Sequence, residues 1–181
     1  MRRPSGQAHP ATLKERPAGL RIALATLGSK SLQDTYAPNS VCFGCGPKNP
    51  KGLRIKSIPA GESLVASWSP QPHHAAFSNF ANGGIVSVLL DCHCNWTAAY
   101  TLMNTRGLDH LPGTVTAEFT VRFLRPTPMN KVWKFEAKPK RVDGDKVQVE
   151  GKVEVDGLLT ATMTGLFVAV KEGHPAYHRW Q

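Results

Sequence analysis

The longest regular run of apolar side chains lies in the middle of the chain, from residue 83 to about residue 104. Its apolar positions recur at the i, i+3 and i+4 spacing of an α-helix. They are Ile85, Val88, Leu89, Cys92, Trp96, Ala99, Tyr100 and Met103. Val86, Leu90 and Leu102 fall on other faces, and a helix that is apolar nearly all round is buried. Asn82 precedes the run and can cap its first turn, so we predict one long buried helix.

Alternation of apolar and polar residues predicts strands on both sides of this helix. Two short strands precede it, at residues 53–56 and 64–68, and three long ones end the chain, at residues 131–142, 146–155 and 158–170. Pairs of Gly and Asp between the last three are typical of tight hairpin turns. The order predicts an α+β fold, in which a curved antiparallel sheet wraps around one long central helix.

A further strand is predicted at residues 114–124, directly after the helix, where the alternation has no break. The apolar face carries Val115, Ala117, Phe119, Val121 and Phe123. The polar face carries Thr114, Thr116, Glu118, Thr120 and Arg122. Because side chains alternate along a strand, this pattern predicts that Thr116 and Arg122 lie on the same face of the sheet.

The composition is that of one globular domain, since the chain has 181 residues, of which 41% are hydrophobic and 19% charged. We predict a basic, poorly ordered N-terminal extension at residues 1–40, a domain at residues 41–171 and a C-terminal tail at residues 172–181. The first 30 residues weakly resemble a transit peptide, and whether they are cleaved stays open. A mean hydropathy of -0.26 and the lack of a long apolar run exclude a membrane span.

The chain is strongly basic, with 22 basic and 13 acidic residues and a net charge of +9. Such a balance is common in nucleic-acid-binding proteins. The excess is spread along the chain, however, and there is no zinc finger, RNA-recognition motif or basic helix. We therefore expect no nucleic-acid partner. The charge indicates either a solvated basic surface or attraction to an anionic ligand such as a phosphorylated cofactor.

Cys42 and Cys45 form a C-x-x-C pair in a loop rich in Gly and Pro. Two reduced loop cysteines are the simplest interpretation, because zinc would need two more ligands and the nearest histidines follow only at residues 73–74. A redox pair would be expected to open a helix after a strand. Cys92 and Cys94 are two apart on the predicted helix and cannot pair with each other. We therefore predict no bound metal and a cytoplasmic protein.

Asp91 lies in the middle of the predicted buried helix, between Leu90 and Cys92. An ionised carboxylate there is costly unless it is paired, solvated or shifted in pKa. One interpretation is a structural aspartate that bonds to Asn95, Ser87 or a distant Lys or Arg. The other is a general base or nucleophile in a cleft, where loss of water raises its basicity.

The helix opens with Asn82, Gly83 and Gly84. Two glycines can expose the backbone N–H groups at a helix N-terminus, where an anion or a developing oxyanion is stabilised. Glycine can also serve close packing or a turn. Together with Asp91 two turns further on, these residues have the parts of an acyl-transfer site, with N–H donors for a carbonyl oxygen and a carboxylate for water.

Residues 82–91 resemble the HGG-x6-D helix of hotdog-fold thioesterases, in the PaaI-like branch of the 4-hydroxybenzoyl-CoA thioesterase superfamily. TVTAEFTVRFLRPTP at residues 114–128 resembles the strand that follows this helix in the family, and CFGCGPKNPKGLRI at residues 42–55 resembles the opening of many such domains. The resemblance covers residues 40–171. It implies hydrolysis of an acyl-CoA thioester without a cofactor, by a homodimer or dimer of dimers whose sheets join edge to edge, with active sites at the interface.

The resemblance also implies roles for residues around the helix start. Asp91 would activate water or attack the thioester carbon, the N–H of Gly83 would hold the carbonyl oxygen, and Gly84 would contact the substrate. Thr116 would support the water or the carboxylate from the next strand. These residues, with Asn82, form the predicted catalytic site.

Four further residues are predicted to bind substrate. Arg122 and Arg125 lie near the end of the strand that follows the helix, where they would meet the phosphates of CoA. His74 and Phe77 lie in the loop before the helix, which is close to the acyl pocket in this family. An acyl carrier protein could replace CoA as the thiol carrier, since its acidic surface would suit the positive charge of the chain.

One position departs from the family pattern, because Asn82 stands where the family has a histidine. An asparagine can donate a hydrogen bond or cap the helix, but it cannot titrate near neutral pH. This departure leaves an alternative function open, a non-catalytic hotdog module that binds acyl-CoA or acyl chains. A dehydratase is less expected, since hotdog dehydratases usually present a catalytic histidine that is missing at the matching position.

Overall fold

The computed structural model describes residues 30–180. In chain order its elements are α1 (Leu32–Tyr36), β1 (Ile58–Ala60), β2 (Ser63–Trp68), a 3-10 turn (Pro72–His74), β3 (Ala75–Phe77), β4 (Phe80–Ala81), α2 (Gly83–Arg106), β5 (Thr114–Phe123), β6 (Trp133–Asp143), β7 (Lys146–Val155) and β8 (Leu158–Ala169). Six strands form one antiparallel sheet in the order β1-β2-β6-β7-β8-β5, and β3 and β4 form a small separate hairpin.

Helix α2 is the long buried helix that the apolar pattern predicts. It begins at Asn82, whose side-chain Oδ1 accepts a hydrogen bond of 2.7 Å from the N–H of Gly84. It ends at Gly107, which adopts a positive φ of 62° and donates its N–H to the carbonyls of Asn104 and Met103. Within residues 30–180, no helix has the length and the apolar character needed to cross a membrane.

The main sheet wraps around α2, which contacts strands β5, β6, β7 and β8. The core between sheet and helix is filled by side chains with no exposed surface: Leu89, Leu90, Trp96, Leu102, Trp133, Phe135, Val149 and Phe167. This arrangement confirms the predicted α+β fold. The three strands at the chain's end begin and end within two residues of the predicted bounds.

Strand β5 contains a β-bulge that the alternating sequence does not reveal. In its pairing with β8, Thr116 lies opposite Phe167 and Glu118 lies opposite Leu166, so Ala117 is an extra residue. An extra residue reverses the faces of everything that follows it. Thr116 therefore shares the helix-facing side with residues 119, 121 and 123, and the predicted common face for Thr116 and Arg122 is wrong.

The strand predicted at residues 53–56 is also absent from the sheet. Arg54 has a positive φ of 52°, which interrupts an extended backbone. Instead, the N–H groups of Leu53 and Ile55 donate to the carbonyls of Phe43 and Gly44, at 2.7 and 3.0 Å. The segment therefore pairs with the C-x-x-C loop, and the first strand forms later, at Ile58–Ala60.

The ordered structure extends beyond residues 41–171 at both ends. Leu32 and Ala37, from the predicted extension, are buried in the core. At the other end, Trp180 is buried and its ring centroid lies 4.3 Å from that of Trp96 on α2. Residues 30–40 and 172–180 are thus part of the fold, and the rest of the predicted extension, residues 1–29, lies outside the described residues.

Candidate active site

Asp91 lies half-buried on α2 and accepts a hydrogen bond from β5. The hydroxyl of Thr116 donates to Asp91 Oδ1 at 2.7 Å, and Asn95 Nδ2 donates to the same hydroxyl at 3.2 Å. Thr114 in turn donates to Asn95 Oδ1 at 2.7 Å. This chain of hydrogen bonds fixes the Thr116 hydroxyl as a donor to the carboxylate. Asn95, one of the partners expected from the sequence, therefore reaches Asp91 only through Thr116.

Burial raises the pKa of Asp91 above its ordinary value of 3.8, while the Thr116 hydrogen bond and the positive charge of Arg179 act against that rise. Loss of water disfavours the ionised carboxylate. The Thr116 hydrogen bond and the charge of Arg179 favour it, so Asp91 can still ionise. Arg179 comes from the predicted C-terminal tail, where its Nη1 donates to the carbonyl of Thr114 at 2.5 Å. Nothing in the sequence pattern of the tail signals this proximity to Asp91.

The sequence predicts two free backbone N–H groups at the start of α2, but only one of them lacks a hydrogen-bond partner among residues 30–180. The N–H of Gly84 is bound by the capping side chain of Asn82. Within residues 30–180, neither the N–H of Gly83 nor Nδ2 of Asn82 makes a hydrogen bond. These two donors lie at the positive end of the helix dipole, where a carbonyl oxygen that gains negative charge is stabilised.

An apolar groove of about 340 Å³ opens beside the helix start. Phe77, Phe80 and Phe123 line it together with Gly83. A Cβ atom on Gly83 would lie 3.2 Å from the ring of Phe123, so the glycine allows that ring to lie against the first turn of the helix. Phe77 and Phe123 are 62% and 53% exposed, so the groove is open and apolar.

His74 is buried beside the groove rather than lining it. Its Nδ1 accepts the N–H of Gln71 at 2.8 Å, and its ring centroid lies 5.0 Å from that of Trp68. Its carbonyl accepts the N–H of Asn82 at 2.9 Å. Burial lowers the pKa of the imidazole, and the neighbouring His73 adds to this effect. His74 therefore positions the helix start, and its predicted contact with substrate is not supported by this location.

The two arginines predicted to bind phosphate lie on different sides of the sheet. Arg122 is opposite Thr162 in the register and lines a depression on the outer face with Glu136 and Lys138. Its predicted approach to the site is wrong, because the bulge at Ala117 turns it away from α2. Arg125 follows the end of β5 and lines the groove at Gly83, with its Nη1 bound to the carbonyl of Leu159 at 2.8 Å.

Gly83 and Asp91 are separated along the helix by eight residues. At 1.5 Å per residue, their backbones lie roughly 12 Å apart along the axis. Groups that act on one carbonyl must both come within about 3 Å of the reacting atoms. One chain therefore keeps the two parts of the predicted site apart, a donor half-site at the helix start and a carboxylate half-site at Asp91.

A cluster of three cysteines lies beside Asp91, and we refer to Cys42, Cys45 and Cys92 as the thiol cluster. Cys42 Sγ lies 3.8 Å from Cys92 Sγ, and all three sulfur atoms are within 4.8 Å of one another. Hydrogen bonds from Cys45 and then Cys92 lower the pKa of Cys42 far below its ordinary value. The pKa values of the two donors rise in turn.

No sequence pattern connects Cys92 with the C-x-x-C pair. Fifty residues separate Cys42 from Cys92, and no local spacing reports a contact over that distance. Gly44, between Cys42 and Cys45, is the one residue in the sequence that reflects this contact. A Cβ atom on Gly44 would lie 2.3 Å from Cys92 Sγ, so only glycine allows the loop to approach the helix at this point.

The sequence has no match among protein-family models or among curated proteins, but the fold is similar to that of many solved structures. One is a thioesterase superfamily protein from Shewanella loihica PV-4, with 29% sequence identity and a TM-score of 0.59, over 77% of this chain and 100% of that chain. Another is a phenylacetic acid degradation-related protein from Ralstonia eutropha JMP134, with 21% identity and a TM-score of 0.53, over 64% and 83% of the two chains.

A third similar structure is the E. coli PaaI protein from the phenylacetic acid degradation operon. It has 14% sequence identity and a TM-score of 0.56, over 66% of this chain and 81% of that chain. At such identities the last two relatives show a common fold and nothing finer. All three likenesses cover about two thirds or more of the chain.

Proposed function

Because this chain has the hotdog fold of the thioesterase superfamily, which confirms the predicted resemblance to its PaaI-like members, we propose that it hydrolyses an acyl-CoA thioester to a free acid and CoA. The observation that carries this proposal is the half-buried carboxylate of Asp91, bound by Thr116 on the central helix. Loss of water raises the basicity of a carboxylate, which suits it to remove a proton from water.

The proposed reaction has two forms that use the same residues. In the first, Asp91 accepts a proton from water as the water oxygen bonds to the thioester carbon. The C–S bond then breaks, and the departing thiolate takes up that proton from Asp91, which returns to the carboxylate. In the second, a carboxylate oxygen of Asp91 itself bonds to the carbon, the thiolate leaves, and water hydrolyses the resulting anhydride. In both forms, the Gly83 N–H and the Asn82 amide stabilise the negative carbonyl oxygen.

We propose that the catalytic unit is a homodimer, in which Gly83 of one protomer lies beside Asp91 of its partner. The roughly 12 Å between these positions along one helix supports this, because a second copy is needed to bring the two half-sites together. Strand β5 is at the edge of the main sheet, and Phe119 on it is 45% exposed. An exposed edge with an apolar face favours pairing with a second copy. A dimer of dimers remains an expectation.

The apolar groove at Gly83 is the proposed site for the acyl group. Its aromatic side chains suit an apolar acyl chain or an aromatic ring. Arg125 at the same groove would contact a phosphate of CoA, and Arg122 on the outer face would not. An acyl carrier protein stays an alternative thiol carrier, since its acidic surface would suit the net positive charge of the chain.

The proposal is tested by thiol release from acyl-CoAs of short, long and aromatic acyl type. Asp91→Asn keeps the size of the side chain and removes the base, so release should fall about 100-fold or more. Asp109→Asn is the matched control, because Asp109 is an exposed aspartate on the loop after α2. Equal release from the Asp91 variant and the parent would exclude Asp91 as the base.

The alternative function is a non-catalytic module that binds acyl-CoA, and Asn82 is the observation that favours it. The amide caps the helix through its oxygen and offers only a donor to a ligand. Such a module would bind acyl-CoA, measured by calorimetry, and would release no thiol from any substrate. Release by the parent protein that depends on Asp91 would exclude this alternative.

A further inference from the structure

The sulfur atoms of the thiol cluster are spaced as ligands of one metal ion would be. Zinc binds thiolate sulfur at about 2.3 Å in a tetrahedral arrangement, which places neighbouring sulfurs roughly 3.8 Å apart. Cys42 Sγ and Cys92 Sγ lie 3.8 Å apart, and Cys45 Sγ lies within 4.8 Å of both. Within residues 30–180, no fourth His, Cys, Asp or Glu joins the group.

Donor groups surround the cluster in the way that stabilises thiolates. The backbone N–H groups of Cys45 and Gly44 contribute to the lowered pKa of Cys42. The indole Nε1 of Trp96 donates to Cys45 Sγ at 3.2 Å. Such outer hydrogen bonds orient metal ligands and hold them in their charged form.

The loop that carries Cys42 and Cys45 is held in place by its own packing and hydrogen bonds. Gly44 lies so close to α2 that a Cβ atom would meet Cys92 Sγ at 2.3 Å and Val88 at 2.9 Å. Its carbonyl accepts the N–H of Ile55 at 3.0 Å. The site is therefore formed before any ion binds, which lowers the cost of binding.

We propose that Cys42, Cys45 and Cys92 bind a thiophilic divalent cation, Zn²⁺ in the first instance, with water in the fourth position. The ion would join the loop at residues 42–46 to the central helix directly beside Asp91. Each thiol that binds gives up its proton to solvent, so affinity falls as the pH falls. A disulfide is the competing use of the same sulfurs, and it would require Cys42 and Cys92 to approach from 3.8 Å to about 2.05 Å.

The test uses Co²⁺ as a spectroscopic probe on the full chain, after a chelator and a reductant have removed bound metal and disulfides. We expect about one equivalent of Co²⁺ to bind, with the near-ultraviolet charge-transfer absorption of cobalt–thiolate bonds, and Zn²⁺ to displace it. Cys42→Ala removes a half-exposed ligand and should weaken binding at least about tenfold. Cys94→Ala is the matched control, because Cys94 is a buried cysteine on the same helix outside the cluster.

Two results would overturn the proposal. One is the absence of the charge-transfer band in a protein whose circular dichroism is that of the folded chain. The other is equal loss of Co²⁺ binding in the Cys42 and Cys94 variants. Alkylation of the thiols gives an independent measurement, since bound Zn²⁺ should protect Cys42 from iodoacetamide. Formation of a disulfide on oxidation, without any cobalt–thiolate band, would assign the cluster to redox chemistry instead.

Discussion

Thr116 donates its hydroxyl to Asp91 at 2.7 Å across the gap between β5 and the central helix. Within residues 30–180, this is the only side-chain hydrogen bond that the carboxylate accepts. A half-buried carboxylate with a single donor costs stability when it is ionised. Ionisation of Asp91 therefore lowers the stability of the fold, and the same ionisation supplies the base that the proposed activity needs.

We expect Asp91→Asn to stabilise the fold at neutral pH. The folded-state pKa of Asp91 lies above its unfolded value, so the folded state holds the proton more tightly. Stability from this group is complete below the unfolded pKa and is lost as the pH rises through the folded pKa. Urea unfolding of parent and variant at several pH values measures the effect. A stability difference that does not grow with pH across this window would contradict the assigned shift.

We expect Thr116→Val to lower kcat roughly 10- to 100-fold, the size of a lost hydrogen bond to a charged group. The same change should move the ascending limb of the pH–rate profile to higher pH, because the bond from Thr116 favours the ionised form of Asp91. Thr120→Val is the matched control, since Thr120 lies on the outer face after the bulge. Equal effects of both variants would indicate a general change in the strand.

The pH–rate profile should rise with ionisation of Asp91, at a pH above its ordinary pKa of 3.8, and show no imidazole step. Asn82 cannot titrate, and burial lowers the pKa of nearby His74. Asn82→His should add an inflection near the ordinary histidine pKa of about 6.5. An inflection near that value in the parent protein, removed by substitution of His74, would contradict this assignment.

Mixing two inactive variants tests the shared site directly. Asp91→Asn removes the carboxylate, and Gly83→Pro removes the backbone N–H at a first helical position that tolerates proline. Each change spoils a different half-site, so a mixed dimer retains one intact site. After unfolding and refolding together at equal amounts, about a quarter of the parent activity should return, because half of the dimers are mixed and each has one working site. Refolding each variant alone is the control. No recovery from the mixture would place both residues in the same site of one chain.

Arg125 and Arg122 offer a matched pair for the phosphate contact. Arg125→Ala should raise KM for acyl-CoA about two- to fivefold with little change in kcat, the size of an exposed ionic contact. Added salt should reduce the difference. Arg122→Ala should leave KM unchanged, because its side chain is on the outer face. A rise in KM for Arg122→Ala alone would contradict the placement of a CoA phosphate beside Arg125.

The elements governed by local pattern were predictable from the sequence. Helix α2 follows from its 3.6-residue period, and its start follows from Asn82, whose side chain caps a helix without help from distant residues. The last three strands follow from alternation and tight turns. Asp91 could also be identified from the sequence, because a charged residue is unusual within an apolar helix.

Features that depend on distant contacts were not predictable. The bulge at Ala117 leaves the alternating sequence intact and appears only in the pairing of β5 with β8. Arg179 and Cys42 reach the region of Asp91 through tertiary packing, which no local spacing encodes. The predicted face of Arg122 was wrong because of this bulge. A strand pattern shows which residues alternate, but not the residue at which the register shifts.

The extra residue at Ala117 also determines how β5 can vary over evolutionary time. Each substitution in the strand affects one side chain, so the sequence can drift there position by position. A deletion of Ala117 would remove the bulge and leave Glu118 and Phe119 opposite the same residues of β8, whereas a deletion further along, at Thr120, would turn Glu118 toward the helix and Phe119 outward. Length changes among relatives of this chain should therefore collect in the connections, such as residues 107–113, or at the bulge, and be excluded from the rest of the strand.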